Sequence, residues 1–306
     1  MSDTEAQKLV STMTEQGDKL MTKAFNKKKV TWVTKLFSDH SSNLEESSEL
    51  FTSASHKYKY IGAYDKAANA CINAAKCHVE LGGSHNFYQG ASSYIDGSKM
   101  ILKNDPNDTK NAISCLDKAV NLYIDDGRFS NAAKCKIEIG AIYEKHNDVE
   151  NAINSFLKAI EWIDDTTDHH TLSATKLRIA HLYTGLKKFQ DAAKLFEETA
   201  FGYMDTPTMR WSTPRYMFKA VLCILANDDF VGAQNAIERY KMICSTFETT
   251  SDYKFLSEIM THYESNSIVD YVDSVVDYDS ITKMDQWTID VLLSIKRTID
   301  REPSLS

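Results

Sequence analysis

The sequence predicts an all-α protein, a tetratricopeptide-like solenoid of helical hairpins followed by a C-terminal helical bundle. Three observations carry this. The chain has 306 residues but only 4 prolines and 11 glycines, so little interrupts helices, and strong helix formers are frequent. An alanine recurs at Ala112, Ala152, Ala192 and Ala233, at steps of about 40 residues. Larger side chains follow each alanine at fixed offsets that fall on one helical face.

The composition is that of an ordinary globular protein, with 42% hydrophobic and 25% charged residues. No apolar run approaches the roughly 20 residues that span a bilayer. The opening MSDTEAQKLV is polar and acidic, unlike a secretory signal. Six cysteines are scattered without a CxxC pair, mostly inside helical apolar patterns, as buried thiols in a reducing compartment would be. The expected location is the cytoplasm.

Taken in chain order, the first notable element is a basic stretch from Lys19 to Lys35 with no acid inside it. It contains "KKKVTWVTKLF" at 27–37, where Trp32, Val33, Leu36 and Phe37 stand among lysines. Two readings compete. The apolar side chains fold back onto the first hairpin, or the loop meets an anionic membrane weakly, each lysine contributing about 1 kcal/mol and each buried apolar side chain about 1.5–3 kcal/mol.

The repeats come next. "KAANACINAAKCH" is anchored at Ala67, and "NAISCLDKAVNLY", "NAINSFLKAIEWI", "DAAKLFEETAFGY" and "GAQNAIERYKMIC" at the four alanines above. Four positions after the anchors stand Cys71, Leu116, Phe156, Phe196 and Ile237. Eleven positions after them stand His78, Tyr123, Ile163, Tyr203 and Cys244. Small anchors let helices approach closely, and the larger residues fill the space between them. A second helix lies between anchors, for example from Arg128 to Lys145. Such hairpins stack on their neighbours. The step exceeds the usual 34 residues, so longer or less regular helices are expected.

Periodicity fades after 245, which sets the expected organisation: a repeat solenoid over 1–245 and a helical bundle with a mobile tail over 246–306. Residues 228–306 hold 15 acids against 7 Lys and Arg, a surplus equal to the net charge of −8 for the whole chain. A solvated face or a basic partner both explain it. No phosphate-loop, dinucleotide, zinc-protease, nucleophile-elbow or EF-hand pattern occurs. His169-His170, near Asp164, Asp165 and Asp168, reads as a connecting loop between helices rather than a metal cluster. Without an interleaved basic–aromatic patch beyond the short loop, nucleic acid is not an expected partner. The expectation is a scaffold without catalytic residues, metal or cofactor.

Three stretches narrow that expectation: "DGRFSNAAKCKIEIGAIYE" (126–144), "MDTPTMRWSTPRYMFKAVLC" (204–223) and "VDYVDSVVDYDSITKMDQW" (269–287), with "LLSIKRTI" after the last. Through them the chain resembles the soluble NSF attachment protein (SNAP) family, most closely its alpha/beta type. The resemblance implies a non-enzymatic adaptor that wraps a SNARE four-helix bundle and brings the ATPase NSF to it. It implies SNARE-facing basic residues at Arg128 and Lys134. Lys176 and Arg215 are the nearest basic residues to two further positions, each displaced by one or two places. On the NSF-facing side it implies Asp228 or Asp229 and Glu264. Ser265 and Asn266 replace adjacent family acids, which shifts weight to Asp273, Asp277 and Asp279. Leu305 matches a penultimate leucine that stimulates the ATPase. It also implies that Trp32, Val33, Leu36 and Phe37 touch the membrane, making the protein peripherally membrane-associated. The competing reading is a generic tetratricopeptide-type binding scaffold or co-chaperone, which needs Lys, Asn and Arg converging from successive inner helices.

Overall fold

The computed structural model describes residues 3–29, 40–163 and 168–300, and among these every regular element is helical. The chain forms two compact units, Met1–Asp164 and Asp165–Ser306. The fade of the repeat pattern at 245 lies inside the second unit.

The first unit runs α1 (Asp3–Lys28), α2 (His40–Tyr60), α3 (Tyr64–Leu81), α4 (Ser84–Asn104), α5 (Thr109–Asp125), α6 (Phe129–Lys145) and α7 (Val149–Ile160). Each helix packs mainly on its chain neighbours. Two glycines set how closely they pack. A Cβ on Gly17 would lie 2.6 Å from the Tyr58 ring, and one on Gly140 would lie 2.6 Å from the Phe156 ring. The α1–α2 and α6–α7 pairs therefore use glycine to seat an aromatic ring against backbone. The Tyr58 hydroxyl, at the α1–α2 approach, donates to Asp18 at 2.7 Å, and Lys66 from α3 reaches the same oxygen at 2.9 Å.

The second unit holds α8 (His169–Gly185), α9 (Phe189–Met204), a 3-10 turn at Arg210–Ser212, α10 (Thr213–Ala226) and α11 (Phe230–Ile243). A further 3-10 turn, Phe247–Thr249, leads into α12 (Ser251–Glu264), α13 (Ile268–Ile281) and α14 (Gln286–Ile299). Here neighbours are not the whole story, because α10 also packs against α12 and α14.

The anchor pattern describes the core directly. Ala67, Ala112, Ala152, Ala192 and Ala233 are all fully buried, as are Phe156 and Phe196 at the fourth position; Leu116 is nearly so. Seven interhelical turns share one feature. A residue at positive φ (Gly62, Gly82, Gly127, Asn147, Lys187, Asp228 or Asn266) is followed at once by the N-cap of the next helix. Left-handed backbone suits Gly and Asn; it costs about 1–2 kcal/mol where a side chain such as that of Lys187 must adopt it.

His169 and His170 are the first two residues of α8 rather than a loop. Asp168 caps that helix by accepting from the Thr171 N–H at 3.3 Å. Asp164 and Asp165 lie outside the described residues. A capping carboxylate and the start of a helix explain the polar cluster. Among the described residues, no group of three or more His, Cys, Asp or Glu is placed to hold a metal ion.

Candidate functional site

The charged side chains named by the sequence are positioned by the repeated turns and by the faces of α6, α8 and α10. Arg128 occupies the N-cap of α6, immediately after left-handed Gly127. Its Nε donates to Asp126 at 2.5 Å, and its guanidinium lies 5.2 Å from the centre of the Tyr88 ring. The bond and the ring contact fix its direction, while 44% of the side chain stays exposed. Together with Phe129 and Trp162 it lines a surface groove of about 720 Å³. Lys134 lies further along α6 with its side chain in solvent.

In the second unit, Lys176 on α8 donates to Glu198 on α9 at 2.9 Å, so much of its charge is answered internally. Arg215, near the start of α10, is exposed and has only a long approach, 3.9 Å, to Asp285. One turn on, Lys219 is buried between His181, Asp285 and the Trp287 ring. Sequence reasoning missed Lys219. Its signal was a single lysine inside the apolar run "YMFKAVLC". Trp211 was also missed. Its ring is 81% exposed, yet it is held in place by an indole N–H donated to the Thr208 carbonyl at 2.9 Å.

Acidic residues gather at the α10–α11 turn. Asp228 takes the left-handed position and accepts from the Tyr263 hydroxyl, while the Tyr263 ring stacks on Phe230 with centroids 5.7 Å apart. That stack brings the end of α12, where Glu264 is exposed, to the turn. Asp229 caps α11 by accepting from the Gly232 N–H at 2.8 Å, so part of its carboxylate is already engaged. Asp273 and Asp277 are exposed on α13. Asp279 is committed within the unit, bonding Lys283 at 3.1 Å and the Met284 N–H at 2.9 Å. These contacts, the Met284 N–H first, hold its carboxyl below the usual range.

The basic run near the N-terminus is less basic in three dimensions than along the chain. Lys27 pairs with Glu46 at 2.6 Å, Lys28 with Glu80 at 3.4 Å and Lys19 with Glu15 at 2.7 Å. Trp32, Val33, Lys35, Leu36 and Phe37 lie outside the described residues, as does Leu305. Among the described residues no helix is long and apolar enough to cross a membrane.

A model of the family described as "Soluble NSF attachment protein, SNAP" matches residues 15–300. The human alpha-soluble NSF attachment protein is 31% identical over 260 residues, 85% of this chain and 86% of its own. The bovine beta-soluble NSF attachment protein is 32% identical over 257 residues, 84% of each chain. A probable vesicular-fusion protein sec17 homolog of Schizosaccharomyces pombe is 28% identical over 288 residues, 94% of this chain and 97% of its own. The near-equal identities leave alpha and beta types undivided. The family match spans both compact units, and the chain belongs to the soluble NSF attachment protein family.

Proposed function

We propose that this chain is a non-enzymatic adaptor in vesicle fusion and intracellular transport, working without metal or cofactor. It binds assembled SNARE bundles and recruits and stimulates NSF for their disassembly. The observation that carries this is the family match over residues 15–300. Arg128, Lys134, Lys176 and Arg215 face the SNARE bundle; the exposure of Lys134 and Arg215 makes them the stronger contributors. Asp228, Asp229 and Glu264 face the basic partner, NSF, and Leu305 promotes its ATP hydrolysis. The working boundary is residue 245. Residues 1–245 supply the bundle-binding solenoid, residues 246–306 the NSF-facing bundle and tail, and Asp228 and Asp229 contribute from the last repeat. Trp32, Val33, Leu36 and Phe37 touch the membrane peripherally. Because Lys27 and Lys28 have acidic partners, that contact depends more on the apolar side chains than on charge.

A pull-down on assembled SNARE bundles, with and without NSF, tests this. The wild-type chain should retain the bundle and then NSF. Reversing Asp228, Asp229 and Glu264 to Lys should keep the first and lose the second. Failure of the wild-type chain to retain any bundle would leave only a generic binding scaffold. For the membrane contact, Trp32→Ser with Val33→Ser should slow disassembly of liposome-anchored bundles and spare soluble ones. Equal slowing on both would place these side chains inside the first hairpin.

A further inference from the structure

Asp285 is the N-cap of α14 and Trp287 lies in its first turn; the acid and the indole both converge on α10. Lys219 is 5% exposed. Its Nζ lies 4.1 Å from the centre of the Trp287 ring, 3.3 Å from His181 Nε2 and 3.6 Å from Asp285 Oδ2. The Trp287 indole N–H donates to Thr184 Oγ1 at 2.8 Å, which fixes the ring over the ammonium.

The two oxygens of Asp285 have different tasks. Oδ1 caps α14, accepting from the Thr288 N–H at 2.8 Å and the Thr288 hydroxyl at 2.6 Å. Oδ2 is shared by Lys219 at 3.6 Å and Arg215 at 3.9 Å, both longer than a hydrogen bond. Both cations thus lean on one carboxylate oxygen at long range; Lys219 is buried, whereas Arg215, 66% exposed, presents its guanidinium to solvent. Asp252 borders the same cavity of about 330 Å³, but it is engaged by the Tyr278 hydroxyl at 2.6 Å.

We propose that Lys219 is a positioning residue for partner binding. By holding Asp285 it prevents that carboxylate from closing on Arg215 and leaves the guanidinium available to an acidic partner surface. Without the ammonium, Oδ2 of Asp285 would face Arg215 alone and could close on it as a charge-assisted hydrogen bond while Oδ1 keeps the helix cap. This rests on the reading above that Arg215 faces an acidic SNARE bundle.

The test uses four variants of the full chain: Arg215→Ala, Lys219→Met, Lys219→Met/Asp285→Asn and Lys219→Arg. Methionine fills the slot beneath Trp287 without charge, and asparagine retains the helix cap. Retention of assembled SNARE bundles is titrated at low and high salt, with circular dichroism confirming the fold. Lys219→Met should weaken binding roughly tenfold at low salt, as Arg215→Ala does. The double variant should restore it, because no carboxylate remains to capture Arg215, and Lys219→Arg should bind like wild type. A merely structural role would leave the double variant as weak as the single one, and that result overturns the proposal. So does unchanged binding by Lys219→Met. Side-chain NMR of Arg215 separates the failures. It should become ordered in Lys219→Met and mobile again in the double variant, whatever the partner. If Arg215→Ala binds normally, the partner assigned to this surface is wrong and the proposal falls with it. If Arg215 stays mobile in Lys219→Met, the capture itself is wrong.

Discussion

The two compact units solve the same packing problem differently. In the first, the buried side chains fall into separate small clusters. One includes Ala67, Ala70 and Met100, another Ala74, Cys77 and Phe51, and a third Leu116, Ala119 and Ile139. Alanine and cysteine predominate, and helices touch mainly their chain neighbours. In the second, one continuous cluster runs from Ala180 to Ile299 and takes in Phe196, Phe218, Tyr240, Phe255 and Tyr278. The contrast shows what the last three helices do. They add Phe255, Tyr271, Tyr278 and Trp287 to the core and join elements far apart in the chain. The first unit should therefore lose stability locally, one interface at a time, and the second as a whole.

The largest effect should come from Trp287→Ala. Its ring packs edge-on against Phe196 at 5.3 Å and shields Lys219. Removing it should cost about 3 kcal/mol, and hydrogen exchange should accelerate across α8, α10 and α14 together. Acceleration confined to α14 would reduce the second unit to another stack of independent interfaces. Next, Gly140→Ala should destabilise by about 2 kcal/mol, since backbone or the fully buried Phe156 must shift. Faster exchange should stay within α6 and α7; spread to α1–α4 would show that the first unit is cooperative as well.

A smaller effect concerns pH. Desolvation first, then the Lys219 ammonium, depresses the His181 imidazole to about 4. An unfolded imidazole titrates near about 6.5. Between those values the unfolded chain takes up a proton that the folded chain refuses. Stability of the second unit should therefore be full above about pH 6.5 and fall as pH drops towards 4. Solvent reaches the ring, so about 1 kcal/mol is expected. His181→Gln should remove that slope in acid unfolding of the second unit, with α1–α7 exchange unchanged. Smallest is Lys187→Gly. Relief of a left-handed lysine, offset by the greater freedom of unfolded glycine, should raise stability by about 0.5 kcal/mol. A loss would mean that the Lys187 side chain contributes more than its backbone costs.

Much of the helical architecture was legible because it depends on periodicity. Ala67, Ala112, Ala152, Ala192 and Ala233 predicted the buried seam, since small residues at a fixed step have one geometrical use in stacked hairpins. The charged surfaces were less legible because charge is a tertiary quantity. Lys27 and Lys28 read as a free basic patch until Glu46 and Glu80 arrive from other helices. Asp279 reads as a surface acid but is occupied by its own turn. Lys219 could not be assigned from its neighbours in sequence, because the groups that make its burial tolerable come from α8 and α14. The turn geometry was half legible. Gly127 and Asn147 announce left-handed positions and Asp228 is tolerated in one, whereas Lys187 occupies one against its own preference.

The indole bond from Trp287 to Thr184 joins residues 103 apart in sequence, and this has a consequence for how the chain is made. Helices α1–α7 can pack pairwise as they are synthesised, each finding its partner in the segment just made. The second unit cannot. At roughly 5–20 residues per second, about 5–20 s separate the synthesis of Thr184 from that of Trp287. During that interval Phe196 and the apolar face of α10 lack their cover. The second unit therefore completes its fold only once α14 has been made. Premature termination before α14 would yield a chain with a sound first half and an exposed aromatic surface, the kind that chaperones hold and proteases remove.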